Sequence, residues 1–186
     1  MKKIFFLITL SILINGCCKD DSEESNININ IPLGTIVAKI DGIETTFNVE
    51  AIADTITIPW LSTGNAFRLD ISGKNNISNN SKNIRIWFFA TPAKVIDAGT
   101  YPDLNKQIYQ FINFKNSWNN NLYEYQSNGS INAFYSSNAT IVRNDSIVQG
   151  IFNGNVIIGA GAPNSVEQPP LYHKIENGMF NVRVRQ

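Results

Sequence analysis

The sequence predicts an all-β protein: an antiparallel β-sandwich or flattened barrel of about nine or ten short strands, preceded by a signal helix and a flexible tether. Three observations predict it. Apolar and polar residues alternate with a period of two in segment after segment. No helical period of ten or more residues follows the N-terminal apolar run. Asp-Gly, Asn-Asp and similar turn signals separate the alternating segments at short intervals.

The first strand is set by Ile36, Ala38 and Ile40 on one face, with Lys39 and Asp41 on the other. Asp41-Gly42 then predicts a two-residue hairpin, because a type I′ turn needs positive φ at both central positions. That turn pairs Ile40 with Ile43, Ala38 with Thr45 and Ile36 with Phe47, so turn and pattern agree. Phe67, Leu69 and Ile71 alternate with Arg68, Asp70 and Ser72 as a half-buried strand. Gly73 to Asn83 reads as a polar loop. Ile84 to Ala90 is apolar on both faces, so it either sits centrally or shows aromatics to a ligand.

Asp97 to Pro102 is a turn with a strand start. Ile108 to Phe114, Leu122 to Gln126 and Ile131 to Tyr135 are further strands. Ala139 to Arg143 and Ser146 to Phe152 flank the short turn at Asn144-Asp145. Gly159 to Pro170 is a loop by its Gly and Pro content. Tyr172 to Val184 closes the domain, with a bulge expected at Asn177-Gly178.

The N-terminus reads as an address. Lys2 and Lys3 precede an apolar run from Ile4 to Ile14, too short for a bilayer span of ~20 residues. Ile14-Asn15-Gly16-Cys17 resembles the bacterial lipobox, with Ile14 where Leu is commoner. The resemblance implies that Cys17 carries lipid, since several acyl chains anchor stably where one does not. Lys19, Asp20, Asp21, Glu23 and Glu24 follow, and this stretch resembles the acidic export signal of Bacteroidota surface lipoproteins. Its like charges also suit a solvated tether. The expected organisation is a signal peptide over 1–16, a lipidated Cys and tether over 17–33, and a β domain over 34–186. Ile27, Ile29 and Ile31 could add a short edge strand. The implied location is the outer membrane, lipid-anchored and facing outward.

Ala38-Lys39-Ile40-Asp41-Gly42, Gly99-Thr100-Tyr101, Gly150-Ile151-Phe152 and Ile175-Glu176-Asn177-Gly178-Met179-Phe180-Asn181-Val182 occur in order. Together they resemble a family of small Bacteroidota lipoprotein domains that open with an AxxNG hairpin, carry a GTY turn and close with GTF and ITNGxFxV strands. Asp41, Ile151 and Glu176 depart from that pattern. The resemblance implies fold and location and transfers no catalytic residue.

Composition narrows the function classes. The formal net charge is +0, with 16% charged and 43% hydrophobic residues. That excludes a strongly basic nucleic-acid binder and a multi-span membrane protein. The two Cys are adjacent, which excludes a disulfide framework and a Cys-based zinc site. One His excludes a poly-His metal site. No calcium loop, P-loop or dinucleotide fingerprint occurs, so the sequence implies no cofactor and no metal. His173, the lone histidine, reads as an exposed or edge-strand residue without a catalytic partner. Asp103, Glu124, Asp145 and Glu167 stand apart in the sequence. The expectation is therefore a protein that is not an enzyme.

Aromatics are the next candidates. Trp60, Trp87, Trp118, Tyr109, Tyr123, Tyr125 and Tyr135 could stack on sugar rings. Trp118 is singled out because it lies in an Asn-rich polar loop where a Trp has no obvious core role, with Tyr123 and Tyr125 as its companions in a ligand platform. Trp87 and Phe89 read as core. Asp54-Thr55-Ile56 and Asp145-Ser146-Ile147, both at expected turns or loop edges, resemble the O-glycan acceptor triplet of exported Bacteroidota proteins, implying sugar on Thr55 or Ser146. Three function classes follow: a binding module for a glycan or surface protein, a structural envelope protein displaying a glycosylated surface, and a divergent hydrolase. The first leads, because it needs only a patch.

Overall fold

The structure, a computed structural model, describes residues 27–60, 64–118, 121–127, 135–144, 146–158 and 169–185. Cys17, the export signal, the expected strand 131–135 except Tyr135, and most of the expected loop 159–170 lie outside the described residues.

The fold is all-β and antiparallel, with eleven strands among the described residues rather than nine or ten. They are β1 (Thr35–Ile40), β2 (Ile43–Phe47), β3 (Val49–Trp60), β4 (Gly64–Lys74), β5 (Asn83–Ala90), β6 (Gly99–Tyr101), β7 (Ile108–Trp118), β8 (Asn121–Gln126), β9 (Ser137–Asn144), β10 (Ile147–Ile158) and β11 (Tyr172–Arg183). They form one curled sheet, a half-barrel, in the order β2-β1-β11-β10-β8-β7-β5-β4-β3. β9 pairs with β10 and carries β6 on its far side. The curl brings β3 back to the chain just after β11: Arg185 N donates to Ala53 O at 2.8 Å, and Ala53 and Val184 form a parallel bridge.

Local chemistry explains the elements. Asp41 and Gly42 have φ of 51° and 82°, as the type I′ turn demands. The hairpin register is the expected one: Ile40 opposite Ile43, Ala38 opposite Thr45, Ile36 opposite Phe47. The Asn-rich connection between β4 and β5 supplies its own bonds, with the Asn76 carboxamide oxygen accepting from Ser78 N at 2.9 Å. The register of β11 against both neighbours shifts at Asn177-Gly178, where Asn177 has φ 50°. The expected bulge is therefore present.

The sequence signals no strand at β3. Pro59 and the mixed pattern of Val49 to Trp60 argue against a central strand, but β3 ends the sheet path, where a missing N–H costs nothing. Ile27 to Asn30 form no strand, contrary to the edge-strand expectation. The stretch is tied instead at Ile31, whose carbonyl accepts from Asn181 Nδ2 at 2.9 Å.

The core fills the inner side of the curl. Ile36, Phe47, Leu69, Ile86, Phe88, Phe114, Phe152 and Phe180 are all fully buried there. A polar cluster lies within it: Gln110 Oε1 accepts from Ser137 Oγ at 2.7 Å, and Ser127 Oγ accepts from Ile112 N at 2.8 Å, while Gln110 Nε2 is buried without a partner.

Candidate functional site

The outer face of β3, β4, β5, β7 and β8 carries a second set of large side chains. Strand register fixes its rows. Ile56, Arg68, Phe89 and Tyr109 form one row, and Asp54, Asp70, Trp87 and Phe111 the next. Ile52, Ser72, Arg85, Asn113 and Gln126 form the third. Lys74, Asn83, Lys115 and Glu124 form the fourth. The face thus changes from apolar to polar along the strand direction.

The apolar part is a shallow depression of about 410 Å³ lined by Ile58, Arg68, Trp87, Phe89, Tyr109 and Phe111. Trp87 and Phe111 stack with ring centroids 4.2 Å apart and planes inclined by 14°. Arg68 lies 6.0 Å from the Trp87 centroid, at the reach of a cation–π contact. The Trp87 indole N–H donates to Asn113 Oδ1 at 3.0 Å, and Asn113 Nδ2 donates to Glu124 Oε1 at 2.8 Å. These bonds hold the indole in one orientation, with the aromatic shelf still half-buried rather than covered.

The polar part, about 310 Å³, is lined by Asp54, Asp70, Ser72, Asn83, Arg85, Asn113, Lys115 and Glu124. Asp70 is its centre and is 6% exposed. Its Oδ2 meets Arg85 at 2.5 Å and Arg68 at 3.0 Å. Lys115 pairs with Glu124 at 3.3 Å, and Asp54 with Arg185 at 3.3 Å. Two groups are left over: Asp70 Oδ1 and Arg68 Nε are buried without hydrogen-bond partners. Among the described residues no group of three His, Cys, Asp or Glu could hold a metal ion.

The structure redistributes the expected site residues. Trp118 ends β7 rather than lying in a loop, and it is 39% exposed. Tyr123 and Tyr125 are 6% and 1% exposed on the core face of β8, so they form no platform with it. Burial pushes the Tyr125 phenol up, with Tyr123 and the Asp41 carboxylate adding to the effect. Trp87 and Phe89, expected in the core, stand on the outer face instead. The odd and even residues of β5 point to opposite sides, and the even ones fill the core. Tyr109 joins them there, the side chain of Trp60 lies outside the described residues, and Tyr135 is half-buried just before β9.

Thr55 is exposed in the middle of β3, not at a turn, while Ser146 lies in the turn before β10 as expected. Asp145 lies outside the described residues.

His173 also departs from expectation. It is 3% exposed on β11, between β1 and β10 rather than at an edge. The Asp41 carboxylate accepts from its Nδ1 at 2.6 Å and from Lys174 N at 2.8 Å. Its Nε2 has no hydrogen-bond partner, and the ring packs edge-on against Tyr125 and Phe114. A catalytic dyad needs a nucleophile on that second nitrogen. Here the pair clips the first hairpin turn to the closing strand.

The outer-face site was partly visible in the sequence. Ile84 to Ala90 and Ile108 to Phe114 are strands with aromatic or large apolar residues on both faces. Their adjacency, which sets Trp87 opposite Phe111, was not. The convergence of Asp54, Asp70 and Glu124 from three strands left no sequence signal. No known family matches the sequence, and no curated protein or solved structure matches it either.

Proposed function

We propose that the protein is a lipid-anchored outer-membrane surface lipoprotein, attached through Cys17, whose β domain binds glycans without catalysis. The observation that carries the binding reading is the half-exposed aromatic shelf of Trp87, Phe111, Phe89 and Tyr109 beside a polar depression. Flat apolar rings suit the C–H faces of sugars, and the neighbouring carboxylates and amides suit their hydroxyls. The lipobox-like Ile14 to Cys17 and the acidic residues after it support the location. The resemblance to Bacteroidota lipoprotein domains supports it further.

The test is a glycan array probed with full-length protein in detergent. Binding by the wild type that Trp87→Ala removes supports the reading. An array silent for both, together with saturable binding of a purified surface protein through the same face, replaces it with a protein-interaction module. Anchoring is checked separately: labelled palmitate enters the wild type and not Cys17→Ala.

A second reading rests on Thr55, which stands exposed on an edge strand within its acceptor-like triplet. The protein would then also display O-linked sugar at Thr55 or Ser146. An intact mass equal to that of the lipidated polypeptide alone rejects it.

A further inference from the structure

Two residues that line the two neighbouring outer-face depressions each carry a buried polar atom without a partner. Asp70 Oδ1 belongs to a residue lining the polar one, and Arg68 Nε to a residue lining the apolar one. Both residues belong to β4 and lie two positions apart, so they share a face. Asp70 sits directly opposite Trp87, and Arg68 directly opposite Phe89. Native structures leave few buried polar atoms unpaired, and those at a surface depression point to something that pairs with them.

One acceptor and one donor side by side match a pair of adjacent hydroxyls. Neither atom has free surface as the side chains stand, so reaching them takes a turn of the Arg68 side chain, which is 26% exposed; one hydroxyl then donates to Asp70 Oδ1, and the other accepts from Arg68 Nε–H. The ring that carries both then lies beside the stacked Trp87–Phe111 pair. Each cation lining the depressions already holds a carboxylate: Arg68 and Arg85 hold Asp70, and Lys115 holds Glu124. An anionic sugar would have to displace one of those carboxylates; a neutral one would not. The two depressions run along β5 from Phe89 to Asn83, six residues or roughly 20 Å of strand, which is room for a chain rather than a single sugar.

We infer that the outer face selects uncharged oligosaccharides, with a vicinal diol read by Asp70 and Arg68 beside the Trp87–Phe111 shelf. This rests on the glycan-binding reading. Asp70 and Arg68 set specificity, while the shelf supplies the contact common to all sugars.

The experiment uses full-length protein in detergent on an array that carries neutral oligosaccharides of glucan, xylan, mannan and galactan. The same array carries oligogalacturonates and chondroitin sulfate fragments. The tightest neutral binder, and its analogue lacking one hydroxyl of the diol, are then titrated against the wild type, Asp70→Asn and Arg68→Met. The expected result is preference for neutral chains, with about tenfold weaker binding in each variant. The deoxy analogue also loses about tenfold against the wild type and little against Asp70→Asn. Arg68→Met leaves the Asp70–Arg85 pair in place, so it decides the matter if Asp70→Asn fails to fold. Preference for the acidic fragments, or wild-type affinity in both variants, overturns the inference and leaves the shelf reading standing. Silence across the whole array overturns both.

Discussion

The two faces of β5 are made of similar residues and do different work. Ile84, Ile86, Phe88 and Ala90 point inward and are fully buried. Arg85, Trp87 and Phe89 point outward and are only half-buried. The same division runs through β7, with Ile108, Ile112 and Phe114 inside and Tyr109 and Phe111 outside. Hydrophobicity therefore does not separate core from shelf in this molecule. What separates them is the curl of the sheet. It closes one side around packed side chains and leaves the other as a surface where aromatic rings meet each other and water.

Substitutions on the two faces sharpen that contrast. Phe88→Ala removes a fully buried ring in edge-on contact with Tyr101, 5.4 Å between centroids, and is expected to cost about 3–5 kcal/mol in urea unfolding. Trp87→Ala loses partial burial and a ring pair worth roughly 0.5–1.5 kcal/mol, so its midpoint falls by much less. Equal losses for the two variants would break the comparison and make the shelf part of the core.

Gly150→Ala tests the inner side from the backbone. A Cβ there would collide with the Thr140 carbonyl and come 2.5 Å from the Phe180 ring. Overpacking of this kind costs about 1–3 kcal/mol, read as a lower midpoint with unchanged slope.

Tyr101 gives a pH test of the same interior. Burial pushes its phenol up to about 12, with the Asp97 and Asp103 charges adding to the effect. The unfolded phenol ionises first, near its ordinary value of about 10, so the stabilisation is full below that pH and is lost as pH rises toward 12. Unfolding midpoints followed through that window should fall for the wild type and fall less for Tyr101→Phe. The smallest effect is expected at Trp118. It is 39% exposed at the end of β7, away from the shelf, so Trp118→Ala should change stability by no more than about 0.5 kcal/mol. It should also leave array binding unchanged.

Much of the fold was legible because turns and alternation are local. Asp41-Gly42 carried a hairpin and its register, and Asn177-Gly178 carried a bulge. β3 was illegible because Pro59 is acceptable only on an edge, and a strand's place in the sheet is not local. His173 was misread for the same reason. Its partner Asp41 lies 132 residues away and is brought close only by the pairing of β1 with β11. Tyr123 and Tyr125 alternate like any half-buried strand, and alternation does not say which face is the wet one.

The sequence by itself determined an all-β antiparallel chain, most of its strands and turns, and a domain whose 34–186 region contains no cysteine. Those follow from period-two patterning and turn chemistry, both of which act over a few residues. Tertiary structure alone decided which aromatic face looks inward, that Trp87 meets Phe111, and that Asp70 gathers Arg68 and Arg85 at the edge of the shelf. The physical reason is that a strand offers both of its faces equally. Only the direction in which the whole sheet curls assigns one of them to the core and the other to water.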